Sequence, residues 1–367
     1  MGCPFAAKAD CGAARKPRRT LESAPMGDFA ARLVRWQRRH GRHGLPWQGT
    51  GDPYRVWVAE VMLQQTQVAT VVPYYLRFLA RFPDVSALAR APRAEVLRLW
   101  SGLGYYARAR NLHEAARRIV CEHGTRLPSA PQALARLPGI GRTTAAAIAV
   151  FAFGRRAAIL DGNVRRVLAR HYGVEPPSAQ WPLAEALLPR REVARYTQAL
   201  MDLGATVCTR RAPACHRCPV AETCIARREG RTEELPRPRA ARPRPLVRVA
   251  WVVALERGRV LLVRRGAEGL WGGLWCFPEL PAARAAARLR ALAGARARIT
   301  PLARVRHEFT HRRLAARPFL VCGAGRCIER ATGAGERRWL ALERAAEAAV
   351  PAPVRALLRG LARHARQ

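Results

Sequence analysis

From Asp28 to about Ile225 the apolar residues recur at helical spacing, and the pattern predicts an all-α domain. The first helix carries Phe29, Leu33 and Trp36 on one face, with Asp28 available as its cap. Further helical stretches are Val56–Tyr75, Arg93–Ser101, Ala107–Glu122, Thr143–Phe153, Val164–Tyr172 and Arg195–Val207. Pro83, Pro92, Pro128, Pro131 and Pro176-Pro177 punctuate them. Residues 226–245 then mix arginine with Pro236, Pro238, Pro243 and Pro245, which predicts an extended cationic linker. Beyond it the period shortens. Val247–Leu255 and Val260–Arg264 read as strands across the turn Glu256-Arg257-Gly258, and Val305–Phe309, Leu314–Val321 and Arg337–Trp339 as further strands. With a helix over Ala282–Ala293, residues 246–367 form a second, smaller α/β domain. Residues 1–25 show no periodicity and read as a disordered tail, with Met26 as an alternative start.

Charge narrows the partner class. The 367-residue chain carries a net charge of +39, which suits a polyanion such as DNA. Lysine occurs only at Lys8 and Lys16; every other basic residue is arginine. A GC-rich genome accounts for arginine over lysine but not for the scarcity of acids. No apolar run is long enough to cross a bilayer, and a secretory signal lacks its apolar stretch, so a reducing, cytoplasmic compartment without membrane attachment is expected.

Candidate chemistry clusters in the helical domain. Cys208, Cys215, Cys218 and Cys224 follow C-x6-C-x2-C-x5-C, a spacing that can close four thiolates around one metal or one cubane cluster. A zinc site usually has two C-x-x-C knuckles a dozen or more residues apart, and here there is only one such pair. Leu137-Pro138-Gly139-Ile140-Gly141 reads as a helix-hairpin-helix turn, whose amides at Gly139 and Gly141 can hold a DNA phosphate. Asp161 opens a helix, where amide donors are expected to keep a carboxylate ionised. Glu60 sits in an apolar helix, where burial raises its pKa and favours the neutral acid. A neutral Glu and an anionic Asp suit cleavage of an N-glycosidic bond. The first protonates the leaving base and the second stabilises the sugar cation.

Four segments carry a family resemblance: Glu60 to Gln67, Gly102 to Asn111, Leu137 to Gly141 and Ile159 to Val164. With the cysteine loop at 208–224, they resemble the adenine DNA glycosylases of the MutY type, in the endonuclease III superfamily, from Met26 onward. The resemblance implies a [4Fe-4S] cluster on the four cysteines and removal of adenine mispaired with 8-oxoguanine or guanine in double-stranded DNA, by a bacterial, nucleoid-associated monomer. It implies that Glu60 protonates N7 of adenine, that Asp161 stabilises the cation with Asn163 beside it, and that Gln198 contacts the flipped base. Leu63, Gln65, Thr66 and Tyr105 would surround the lesion strand, with Tyr105 as a wedge, and Trp47 would lie near the base pocket.

The second domain, through Gly269 to Glu279, resembles the Nudix fold in its MutY version. No Asp or Glu occurs between Leu280 and Thr300, so it is expected to bind and not to hydrolyse. Phe309, Thr310 and His311 resemble the loop that inspects 8-oxoguanine, with Thr310 where serine is usual. Thr143 stands where lyase members of the superfamily carry a Schiff-base lysine. Two other readings remain open at this point: an endonuclease III-like glycosylase and lyase for oxidised pyrimidines, and a non-catalytic damage sensor on the same fold.

Overall fold

The computed structural model describes residues 26–237, 243–266, 269–331 and 335–365; the tail at 1–25 lies outside them. Described residues 26–237 form only helices and loops, as the periodicity predicts. Two apolar cores divide this region. One gathers Trp57, Phe78, Trp100, Leu112 and Ile148. The other gathers Leu33, Leu160, Val164, Leu200 and Leu203.

The helix Pro53–Leu63 belongs to the first core. Asp52 caps it by accepting from the amides of Tyr54 (2.8 Å) and Arg55 (3.3 Å), and Pro53 sits where no intrahelical amide is needed. The expected single helix Val56–Tyr75 is broken. It stops at Leu63 and resumes over Val68–Arg81, with Gln65 in the left-handed region at φ 57°. The cause is tertiary. Arg108 captures the carbonyls of Val61, Met62 and Gln64, so the chain leaves the helix for a polar turn.

The C-terminal domain is built on one mixed sheet. Its strands are β1 (Leu246–Glu256), β2 (Arg259–Arg264), β3 (Trp275–Cys276), β4 (Glu279–Pro281), β5 (Arg298–Pro301), β6 (Val305–Glu308), β7 (Arg313–Cys322) and β8 (Arg337–Ala341). The central order is β3-β2-β1-β7-β5, with β4 on β1, β6 on β7 and β8 on β2. Arg257 and Gly258 both have positive φ (48° and 71°), the backbone that matches a two-residue hairpin to strand twist. β1 and β7 pair in parallel, with Val253 opposite Leu320. Alternation then splits β1. Ala250, Val252 and Ala254 face the helix Ala285–Ala293, while Trp251 and Val253 join the first helical core. That core also takes in Val354 and Leu358 of the helix Ala352–His364, so apolar packing continues from one domain into the other.

The expected extended linker is folded at its start. A helical turn spans Ile225–Arg228, Leu235 is buried, and its carbonyl accepts from Arg170 at 2.8 Å. An apolar side chain with a niche overrides the Arg/Pro composition here.

Candidate active site

Glu60 and Asp161 approach each other from the two cores. Glu60 is half-buried on the helix Pro53–Leu63, and Asp161 caps the helix Gly162–Tyr172. Burial pushes the Glu60 carboxyl up to about 8, and the nearby Asp161 charge adds to the rise. Asp161 accepts from the Val164 amide at 2.7 Å and from the Asn163 side-chain amide at 3.5 Å. These donors lower its pKa, as does Arg166, but burial outweighs them and the net direction is upward. The cap donors expected to keep Asp161 ionised are present, and desolvation opposes them.

Asn163 is fixed from behind. Arg166 donates to its Oδ1 (2.8 Å), to the carbonyl of Gly204 (2.6 Å) and to the carbonyl of Cys208 (2.7 Å). Gly204 lies on the helix Val193–Thr206. A Cβ there would sit 2.5 Å from Asn163 Cβ and 3.0 Å from its Cα. On the same helix Gln198 donates to Asp202 at 2.8 Å. Asp202 is fully buried and takes two bonds from Arg42, one from its amide (2.9 Å) and one from its guanidinium (2.7 Å). Trp47 is buried edge-on to Tyr75 at 5.3 Å, in the first core.

The turn after Glu60 meets the hairpin. Gln64 donates to Thr144 Oγ1 (3.1 Å) and to the Gly139 carbonyl (3.4 Å). Gly139 and Gly141 are exposed, and Gly139 has φ 78° with Asn111 packed against it, so neither the backbone nor the space admits a side chain. Thr143 is half-buried beside Thr144. Leu63, Gln65 and Thr66 flank this turn, and Thr66 Oγ1 accepts from Arg108 at 3.1 Å.

Tyr105 is 41% exposed with φ 48°, an apolar ring held outward on strained backbone. Arg108 stacks 5.3 Å from its ring centre and donates to the Gly104 carbonyl (3.3 Å). Arg108 is itself buried, and desolvation lowers its pKa to about 10. Sequence reasoning missed Arg108, Arg166 and Asp202. The first two lie in or beside the motif segments, but nothing local marks an arginine as a carbonyl-binding hub.

Phe309, Thr310 and His311 lie on the α/β domain, on the tight turn between β6 and β7, where the Phe309 amide donates to Arg312 O at 2.9 Å. Thr310 and His311 are exposed. Phe309 rests on Trp271 (5.5 Å) and His307 (4.5 Å), and burial lowers the pKa of His307. Arg244 pairs with Glu308 at 3.0 Å and donates to the Phe309 carbonyl.

Cys208, Cys215, Cys218 and Cys224 line one cavity of about 30 Å³ together with Arg170. Burial pushes the Cys218 thiol up to about 12, with the other three cysteines adding, and raises Cys224. Arg170 ties the loop down by donating to the carbonyls of Thr209 (2.6 Å) and Arg210 (3.1 Å). Among the described residues no three His, Cys, Asp or Glu form a group that could hold a single metal ion. No helix among them is long and apolar enough to cross a membrane.

Comparison with known proteins adds the family context. A family model for HhH-GPD superfamily base excision DNA repair proteins matches residues 58–187, and one for the NUDIX domain matches residues 249–360. An adenine DNA glycosylase of Mycobacterium tuberculosis (strain ATCC 25618 / H37Rv) is 41% identical over 244 residues, covering 64% of this chain and 78% of that protein. One from Buchnera aphidicola subsp. Baizongia pistaciae is 35% identical over 257 residues, covering 68% and 73% respectively. Among solved structures, a thermostable thymine-DNA glycosylase superposes with TM-score 0.53 at 29% identity, over 56% of this chain and 97% of that one.

Proposed function

The chain belongs to the adenine DNA glycosylases, which hydrolyse N-glycosyl bonds, and from that premise we propose that it excises adenine paired with 8-oxoguanine or guanine in duplex DNA. The observation that carries the reading is the carboxyl pair: Glu60 retains its proton to about 8 beside Asp161, which sits among amide donors. Burial raises both carboxyls, but amide donors and Arg166 oppose the rise only at Asp161, which fits Glu60 as the acid and Asp161 as the anion.

The residues act in sequence. Adenine leaves the stack, and Gln198, held by Asp202, meets its edge. Glu60 donates its proton to N7. The C1′–N9 bond breaks with its electron pair going to the base, and the Asp161 carboxylate balances the positive charge left on the sugar. Water then adds at C1′ and its proton returns to the Glu60 carboxylate. Asn163 and Arg166 hold Asp161 in register throughout. The amides at Gly139–Gly141 take a backbone phosphate, while Leu63, Gln65, Thr66 and Tyr105 occupy the space around the opposite base. Phe309–His311 inspect it, and the Thr310 hydroxyl can accept from the N7 hydrogen that 8-oxoguanine carries and guanine lacks. Trp47 backs the base pocket.

The donor set of the cysteine cavity fits a [4Fe-4S] cluster. Four thiols line one cavity, and the loop around them is tied down by Arg170. Cys208, Cys215, Cys218 and Cys224 would hold the cluster. When bound, it supplies iron–thiolate bonds that fix the loop, and the excision step is carried by the carboxyls. The protein acts as a monomer on chromosomal DNA in the bacterial cytoplasm.

Lysine occurs only at Lys8 and Lys16, outside the helical domain, which favours simple hydrolysis over a Schiff-base lyase. Single-turnover assays on A:8-oxoguanine and thymine-glycol duplexes test this. Adenine should be released from the first, with strand scission only after added alkali and little borohydride-trapped adduct. Release from thymine glycol with efficient trapping would overturn the reading.

A further inference from the structure

The loop that carries Tyr105 is held from behind by the other domain. Ser101 is buried, and Arg355 of the helix Ala352–His364 donates to its carbonyl at 3.0 Å and to its Oγ at 2.6 Å. The Ser101 hydroxyl in turn donates to the carbonyl of Val350, and Arg355 Nε donates to Ala346 O at 3.0 Å. The guanidinium thus joins Ala346 of the C-terminal domain to Ser101 of the helical domain, and the Ser101 hydroxyl adds Val350.

The segment after Ser101 has little freedom. Gly102 has φ 108°, and Tyr74 occupies the space a side chain there would need. Its amide donates to Tyr106 Oη at 3.2 Å, and the Gly104 carbonyl accepts from Trp100 Nε1 at 3.1 Å. Tyr105, in the left-handed region, is therefore aimed by a short segment whose start is fixed by Arg355. A second contact runs the other way. Arg110, in the helix Ala107–His123, donates at 3.0 Å to the carbonyl of Gly272, next to the Trp271 ring on which Phe309 rests.

We propose that Arg355 is a positioning residue through which the C-terminal domain sets the Ser101–Tyr105 loop, so that Tyr105 and Phe309–His311 read the base opposite adenine as one unit. This rests on the proposed function for the substrate class and extends it. The C-terminal domain then contributes to discrimination twice, through its own loop and through the aim of Tyr105. Loss of the guanidinium leaves the Ser101 carbonyl and hydroxyl with fewer partners and lets the segment before Gly102 relax.

The test uses the full chain with Arg355→Met, which keeps the stem and removes the donors, and Arg355→Lys, which keeps one charged donor. Adenine release in single turnover is measured on A:8-oxoguanine and A:G duplexes after active-fraction titration, alone and with Tyr105→Ser. Arg355→Met should lower the preference for A:8-oxoguanine by roughly 10-fold, the scale of coupling through a packed contact. Arg355→Lys should fall between. With Tyr105→Ser present, Arg355→Met should lower the preference little further. A general loss of folding would move both rates with the active fraction and leave their ratio unchanged; that outcome, or additive losses in the double variant, overturns the proposal. If Arg355→Met fails to fold, the Arg355→Lys ratio decides alone. Failure of the parent reading looks different, because no variant, nor the parent chain, would then release adenine from either duplex. In that case the fluorescence of 2-aminopurine placed beside the lesion on binding still reports whether Arg355→Met alters insertion of Tyr105.

Discussion

Gly204→Ala adds one methyl group at a place where the chain has no room for it. The new Cβ would stand 2.5 Å from Asn163 Cβ, 3.0 Å from its Cα and 3.1 Å from its carbonyl carbon. These are backbone and first side-chain atoms, so no flexible tip can move aside. Restoring ordinary carbon–carbon contact requires the two helices to part by about 1 Å. Overpacking of this kind costs ~1–3 kcal/mol of stability. The larger effect falls on chemistry, because Asn163 is the neighbour that orients Asp161 and is itself held by Arg166, which also binds the Gly204 carbonyl. A displacement of about 1 Å at a reacting group costs on the order of 100-fold in rate. Single-turnover adenine release at saturating enzyme, corrected for active fraction, should therefore fall by roughly that factor, while the thermal midpoint drops by a few degrees. Gly360→Ala is the control, since its added Cβ meets no atom within 4 Å. If Gly204→Ala keeps a rate within about threefold of the parent, a shift under 1 kcal/mol, the claim that this contact sets the Asp161 geometry is wrong.

The other predictions concern protons and the cysteine loop. Glu60 must carry a proton to act and holds it to about 8, so activity should be intact below that value and decline as pH rises through it. Asp161 must be ionised and its pKa is raised, so a second decline should appear on the acid side; a flat profile into the alkaline range would remove Glu60 as the acid. Purified protein should contain about four iron atoms and about four sulfides per chain. One zinc and no sulfide would instead make the cysteine cavity a zinc site.

Much of this was legible in the chain. The four cysteines, the Pro-Gly-Ile-Gly hairpin and the Asp161 cap are local signals with local causes, and the turn at Arg257-Gly258 announces itself by composition. The break at Gln64–Gln67 was not legible. Nothing in Gln65 predicts a left-handed backbone; the turn exists because Arg108, more than forty positions away, takes the carbonyls a helix would have used. Asp202 likewise reads as an ordinary helical acid and proves fully buried against Arg42 and Gln198. The balance at Asp161 could not be read either, since amide donors are visible in a motif and desolvation is not. The short strands β3 and β4 escape periodicity because two or three residues carry no period, and the parallel β1–β7 pair is a non-local contact.

The central claim is that Glu60, kept neutral by burial, protonates the departing adenine. Glu60→Gln preserves the shape of the side chain and removes the proton. Single-turnover adenine release from an A:8-oxoguanine duplex should fall by at least about 100-fold, the usual contribution of a general acid, with duplex binding retained. The alkaline decline near 8 should vanish from whatever activity remains. Near-parental release by the Gln variant, still declining near that pH, would contradict the account.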